Sequence, residues 1–233
     1  MSDLPRLPSL PLPLLNRLRV RRARLRWWWH VQGPRAAKRA LDLLVVVPAL
    51  ALLSPLFAAV ALAIRCHDGG PALFWQRRVG RDGVEFAFPK FRSMRVDAEA
   101  VRQALAATNQ HGAAGVTFKM KRDPRITPVG RLIRRTSIDE LPQLWCVLVG
   151  TMSLVGPRPP LVGEVARYTL DERQRLAVTP GLTCIWQVNG RSEVPFPQQV
   201  QMDLDYIRQP SLRADVGLLL KTLPAVIRGR GAY

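Results

Sequence analysis

From Leu41 to Ile64 the chain is almost wholly apolar, broken only by Asp42, Pro48 and the pair Ser54-Pro55. About 20 apolar residues suffice for a helix to cross a bilayer, so this run is long enough to span. A cleaved signal peptide is the first competitor, and Ala61-Leu62-Ala63 resembles a cleavage site. The long basic leader, and an apolar run well beyond the usual ~7–15 residues, argue against it.

The flanks bear on whether the segment crosses. The leader carries Arg17, Arg19, Arg21, Arg22, Arg24, Arg26, Lys38 and Arg39, and the far side carries Arg65, Arg77, Arg78 and Arg81. Basic residues close to a membrane segment favour the cytoplasmic side, and here both flanks ask for the same side. A helix–break–helix that enters and returns satisfies both. Pro55 lacks an amide and supplies the bend, while the Ser54 hydroxyl can satisfy the carbonyl that the proline frees. Asp42 with Lys38 or Arg39 then marks the interface. Trp27-Trp28-Trp29 closes the basic leader, and tryptophan beside arginine suits the headgroup layer; a disordered tail or a nucleic-acid arm with stacking aromatics is the alternative. Near the other end Leu212, Val216, Leu219, Leu220, Leu223, Val226 and Ile227 recur at spacings of three and four, which reads as an interfacial amphipathic helix or a core helix. The apolar segment upstream favours the first.

Lys and Arg total 35 against 17 acids, a net charge of +18 over 233 residues. That excess points to a polyanionic partner: nucleic acid, an anionic membrane face or phosphorylated substrates. Cys66, Cys146 and Cys184 form no metal or disulfide pattern, and Cys66-His67-Asp68 reads as a loop.

Beyond the apolar run, segments 72–80 and 84–91 flank Arg81-Asp82-Gly83, a hairpin signal. Val84, Phe86, Phe88 and Lys90 share one face by the period of two, so a lysine continues an apolar face beside Arg92 and Arg95. Val96 to Thr108 reads as an alanine-rich helix and Asn109 to Gly115 as a loop. Arg125, Arg131, Arg134 and Arg135 then crowd ahead of Thr136-Ser-Ile-Asp-Glu-Leu-Pro-Gln143, which places Asp139 and Glu140 among cations. Ser137-x-x-Glu140 also matches a capping box, and a helix start and a phosphate or metal site are compatible readings. Leu141, Leu144, Trp145 and Leu148 continue as a helix with Gly150 as its C-cap. Arg158 is fixed between prolines, a low-entropy mount for a phosphate-binding guanidinium. Glu164 to Ala177 and Gln198 to Arg208 read as helices, and Leu182 to Val188 as a short strand.

From about Lys38 to Tyr233 the sequence resembles the bacterial sugar transferase family, the small monotopic phosphoglycosyl transferases. The resemblance rests on Lys38-Arg-x-x-Asp42, Ser54-Pro55, Gln76-Arg-Arg-Val-Gly80, Lys90-Phe-Arg-Ser-Met94, Asp123-Pro-Arg-Ile-Thr127, Thr136 to Gln143, Met152 to Pro159, Pro180-Gly-Leu-Thr183 and the Gly-Ala-Tyr end. It implies transfer of a sugar phosphate from a nucleotide sugar, usually a UDP-sugar, to undecaprenyl phosphate, with release of UMP. Asp139 is the implied nucleophile, Glu140 a base or metal ligand, and Mg2+ the implied cofactor at Asp139 and Glu140. Lys90, Arg134 and Arg158 are the implied phosphate-binding residues, and Ser54-Pro55 the membrane bend. The implied location is the bacterial inner (plasma) membrane, with the site on its cytoplasmic face; self-association is left open. Cys146, Thr151 and Cys184 depart from the residues common in the family, and the chain is expected to be the minimal catalytic form.

The expected fold is α/β and helix-rich: a basic leader (1–37), a re-entrant membrane helix (38–65), and a cytosolic domain (66–233) with interfacial helices and a small sheet. Three rivals predict different outcomes. A membrane-tethered nucleic-acid binder leaves the Asp-Glu pair unexplained and matches no nucleic-acid motif. A Mg2+-dependent phosphohydrolase uses the same groups with water as acceptor, and a scaffold uses none of them.

Overall fold

The computed structural model describes residues 14–98, 123–190 and 193–228. The helix read over Val96–Thr108, the loop over Asn109–Gly115 and the Gly-Ala-Tyr end lie wholly or largely outside them. The chain divides into two units, Met1–Ala40 and Leu41–Tyr233. The second holds the apolar run, every described strand and the acidic pair.

Helix α1 (Leu14–Asp68) contains the apolar run. It is the one helix among the described residues long and apolar enough to cross a membrane. The helix continues through Ser54-Pro55, where the sequence leads one to expect a break. The chemistry expected there is present: Ser54 Oγ donates to Ala51 O at 2.8 Å, the carbonyl that Pro55 leaves without its usual amide. Val46, Val60 and Ile64 are buried, whereas Leu44, Leu52 and Leu62 are 74, 80 and 64 % exposed. At one end Asp42 accepts from Ser153 Oγ at 3.0 Å and Leu154 N at 2.9 Å. At the other, Asp68 pairs with Arg92, and Phe57 meets Phe91 edge to face at 5.7 Å. Over the roughly 39 Å that 26 helical residues span, both ends of the segment are fastened to one domain.

Strands β1 (Leu73–Val79) and β2 (Glu85–Phe91) form the expected antiparallel hairpin. Asp82 and Gly83 both take positive φ in its turn, which is why Asp-Gly reads so clearly in sequence. Phe86 and Phe88 are buried and Lys90 follows them on the same face, but Val84 belongs to the turn and is exposed. The register sets Gln76 opposite Phe88 and Arg78 opposite Phe86, so those two polar side chains share that face.

Helix α2 (Pro128–Arg135) is capped by Thr127, whose hydroxyl accepts from Gly130 N. A 3-10 turn (Ile138–Gln143) and helix α3 (Leu144–Val149) follow, and Gly150 ends α3 at φ 92° as expected. Trp145, placed on the apolar stripe by its spacing, is instead exposed; Cys146 and Val147 take the buried positions. Strand β3 (Ser153–Val155) pairs in parallel with β4 (Gly181–Thr183). A Cβ on Gly181 would lie 2.0 Å from Gly156 N, so glycine permits this approach.

Two further sequence readings need correction. The helix expected over Glu164–Ala177 is divided into α4 (Val162–Val165), α5 (Leu170–Arg173) and a 3-10 turn, because Thr169 and Glu172 form a capping box of their own. The strand expected over Leu182–Val188 ends at Thr183 and gives way to α6 (Ile185–Asn189). Helix α7 (Phe196–Arg208) agrees with the sequence reading. In helix α8 (Leu212–Arg228) Leu218 and Leu219 pack on the core, while Leu212, Val216 and Leu220 face outward.

Candidate active site

The acidic pair sits on the 3-10 turn, entered through Ser137 in the left-handed region at φ 56°. This geometry rules out the capping box: Ser137 makes no side-chain cap, and Glu140 is turned elsewhere. Its Oε1 accepts from Lys90 Nζ at 2.9 Å and from Arg158 Nη2 at 2.7 Å. The strand, the turn and the proline loop thus converge on one carboxylate.

Burial pushes the Glu140 carboxyl up, but Arg158 and Lys90 outweigh it and hold the group well below its usual range. Asp139, 9 % exposed, goes the other way. Burial, with Glu140 beside it, raises its pKa to about 6, against the pull of Lys90, Arg134 and Arg158. Two adjacent carboxylates are therefore separated in strength, one firmly ionised and one poised near neutrality, a pattern frequent at reaction centres. Burial lowers the pKa of Lys90.

Arg78 belongs to this group although the sequence reading left it among the flanking charges. Its Nη1 donates to Pro159 O at 2.9 Å, steadying the Arg158 loop, and Nε and Nη2 donate to Gln76 Oε1 at 3.0 and 2.8 Å. It lies 5.1 Å from the Phe88 ring centre, and Lys90 lies 5.5 Å from the same ring. Desolvation, with Arg158 nearby, lowers its pKa to about 10. The period of two running back from Lys90 across the hairpin was the signal available for it.

The other arginines divide. Half-buried Arg134 closes α2 near Asp139. Arg125 is held by Asp123, Nη2 to Oδ2 at 2.6 Å, a buried pair bracing the approach to α2. Arg131 and Arg135 are exposed. Arg175 pairs with Asp203 at 2.6 Å and lies against both the Tyr168 and Phe196 rings. Asp205 is exposed, and Tyr206 donates to Asp215 at 2.9 Å.

The grouping of Lys90, Asp139, Glu140 and Arg158 gives meaning to a comparison with known proteins. The model of the family described as bacterial sugar transferase matches residues 33–229. The chain belongs to that family. It is 46 % identical over 197 residues to galactosyl transferase CpsE of Streptococcus agalactiae, covering 84 % of this chain and 43 % of that protein. It is 43 % identical over 204 residues to an undecaprenyl-phosphate galactose phosphotransferase of Salmonella typhimurium, covering 87 % and 43 %. With exopolysaccharide production protein ExoY of Rhizobium meliloti it shares 39 % over 199 residues, covering 84 % of this chain and 88 % of the relative. The chain thus spans under half the length of the first two relatives and most of the third.

Among the described residues no group of three or more His, Cys, Asp or Glu could hold a metal. Asp139 and Glu140 supply two carboxylates, and Mg2+ commonly takes one or two, completing its shell with water and substrate phosphates.

Proposed function

We propose that this protein is a phosphoglycosyl transferase that moves a sugar 1-phosphate from a nucleotide sugar, a UDP-sugar in this reading, to undecaprenyl phosphate. The observation that carries the reading is the convergence of Lys90 and Arg158 on Glu140 next to the buried Asp139, within a sugar transferase chain. The Salmonella relative's name supplies the acceptor class and one candidate sugar.

In this reading the Asp139 carboxylate attacks the β-phosphorus of the donor. The bond from that phosphorus to the bridging oxygen breaks, UMP leaves, and a phosphosugar ester of Asp139 remains. A phosphate oxygen of undecaprenyl phosphate then attacks the same phosphorus and restores the free carboxylate. Nucleophilic catalysis divides one hard displacement into two. Lys90, Arg158 and Arg134 hold phosphate oxygens, Arg78 fixes the Arg158 loop, and ionised Glu140 orients the cations. Asp139 and Glu140 would hold Mg2+, which when bound supplies charge neutralisation on the phosphoryl oxygens.

Helix α1 supports placement at a membrane. The outward face of its apolar run is apolar, and that run is tied to one domain on both sides, through Asp42 and Asp68. Such ties suit a segment that enters the bilayer and returns, with Ser54-Pro55 at its deepest point and anionic lipid around the basic flanks. The catalytic face then lies at the cytoplasmic surface of the inner membrane, where a water-soluble donor and a lipid acceptor use one site in turn.

The test is consumption of a panel of UDP-sugars by purified protein in detergent with Mg2+, with and without undecaprenyl phosphate. The reading expects sustained UMP release with one donor only when the lipid is present. Sustained turnover without lipid points to a phosphohydrolase, and no turnover with any donor contradicts the reading.

A further inference from the structure

Gln143 closes the 3-10 turn that carries Asp139 and Glu140. Side chains three residues apart eclipse on such a turn, so Gln143 stands in line with Glu140. It is 1 % exposed, yet neither Oε1 nor Nε2 has a hydrogen-bond partner. Buried amides are nearly always satisfied; among the other buried polar groups Asp42 accepts twice and Asp203 holds Arg175, while Arg92 Nε and Nη1 and Trp186 Nε1 also lack a partner. An apolar side chain of similar length would fill the space without the cost of desolvating an amide. A glutamine there is a liability to folding unless something else completes it.

We propose that Gln143 is a positioning residue for the cation and donor diphosphate, its amide accepting a hydrogen bond from a water of the cation's shell. The proposal rests on the phosphoglycosyl transferase reading above. Partners one step outside the ligands fix the geometry of a metal site, and their loss typically weakens metal affinity about 10–100-fold. Gln143 serves in that way through its free carbonyl oxygen, and Glu140, three residues back, is the ligand beside it.

The experiment uses the full chain in detergent and MgCl2 as the probe, with Gln143→Met and Gln143→Glu beside wild type. Two quantities are read: the melting temperature, first without metal and then across a MgCl2 titration, and the Mg2+ concentration giving half-maximal UMP release. Gln143→Met, an apolar near-isostere, is expected to melt at or above wild type without metal. Its half-saturating Mg2+ in both measurements should rise about tenfold. Gln143→Glu places a further anion beside the site and is expected to lower it. A lower metal-free melting temperature for Gln143→Met with unchanged Mg2+ dependence makes the amide a structural group and overturns the proposal; so does no change in either quantity. Should Gln143→Met fail to fold, an unchanged Mg2+ dependence in Gln143→Glu overturns it instead. If wild type itself shows no response to Mg2+, the reading beneath the proposal fails; a normal wild-type response with indifferent variants sinks the proposal alone.

Discussion

Arg158 reaches across 18 residues to donate 2.7 Å to Glu140, on the same oxygen that Lys90 holds at 2.9 Å. One carboxylate thus gathers two cations from separate parts of the chain beside Asp139. Glu140→Gln keeps the shape and removes the charge that orders them, so kcat is expected to fall about 10²–10³-fold. Arg158→Lys retains a charge but not the planar fork, and a loss of about 10²-fold is expected. Steady-state UMP release checks both. Activity within a few-fold of wild type for Glu140→Gln would reduce the carboxylate to a structural counter-ion.

Asp42 ties the start of the apolar segment to Ser153 and Leu154. Asp42→Ala leaves a buried backbone amide without its acceptor, a cost of about 1–3 kcal/mol. Chemical or thermal unfolding in detergent should show that loss. An unchanged midpoint would mean that α1 is held by its apolar face alone.

The pKa of Asp139 is raised from its usual 3.8 to about 6. The folded chain therefore favours the protonated form. That stabilisation is complete below pH ~4 and is lost as pH rises through about 6. Glu140 is shifted the other way, and its contribution is lost only on acidification. Metal-free wild type should lose stability between about pH 4 and pH 6 relative to Asp139→Asn, which lacks the titration. Melting temperature against pH for the two proteins checks this; parallel curves would contradict it. Activity, which needs the carboxylate, should rise through the same window.

Asp203 and Arg175 are 1 and 5 % exposed and face each other at 2.6 Å. Removing one partner strands a buried charge, so Asp203→Ala should cost about 3–5 kcal/mol, and Arg175→Met with it should restore part of that. Equilibrium unfolding of the single and double variants measures the coupling.

The hairpin was legible because Asp82-Gly83 marks its turn, and the end of α3 because Gly150 takes the left-handed conformation. Both are signals that a residue type carries alone. The capping box misled because Ser137, an ordinary residue, adopts that same region, which composition does not reveal. Leu182 to Val188 misled because a short apolar run has no period long enough to separate strand from helix. Lys90, Asp139, Glu140 and Arg158 were legible as chemistry from the resemblance, but their pairing was not: Glu140 lies 50 residues from Lys90, and only the folded chain joins them. Arg78 was missed because its role lies in holding the Pro159 carbonyl, a contact 81 residues away.

The most direct test of the central claim is the covalent step itself. Purified protein, Mg2+ and the productive UDP-sugar are incubated without undecaprenyl phosphate, and the protein is digested and examined by mass spectrometry. The account predicts one equivalent of UMP and a phosphosugar adduct on the peptide bearing Asp139, absent in Asp139→Asn and discharged when undecaprenyl phosphate is added. An Asp139→Asn variant that turns over at the wild-type rate, or an adduct on a different residue, would contradict it.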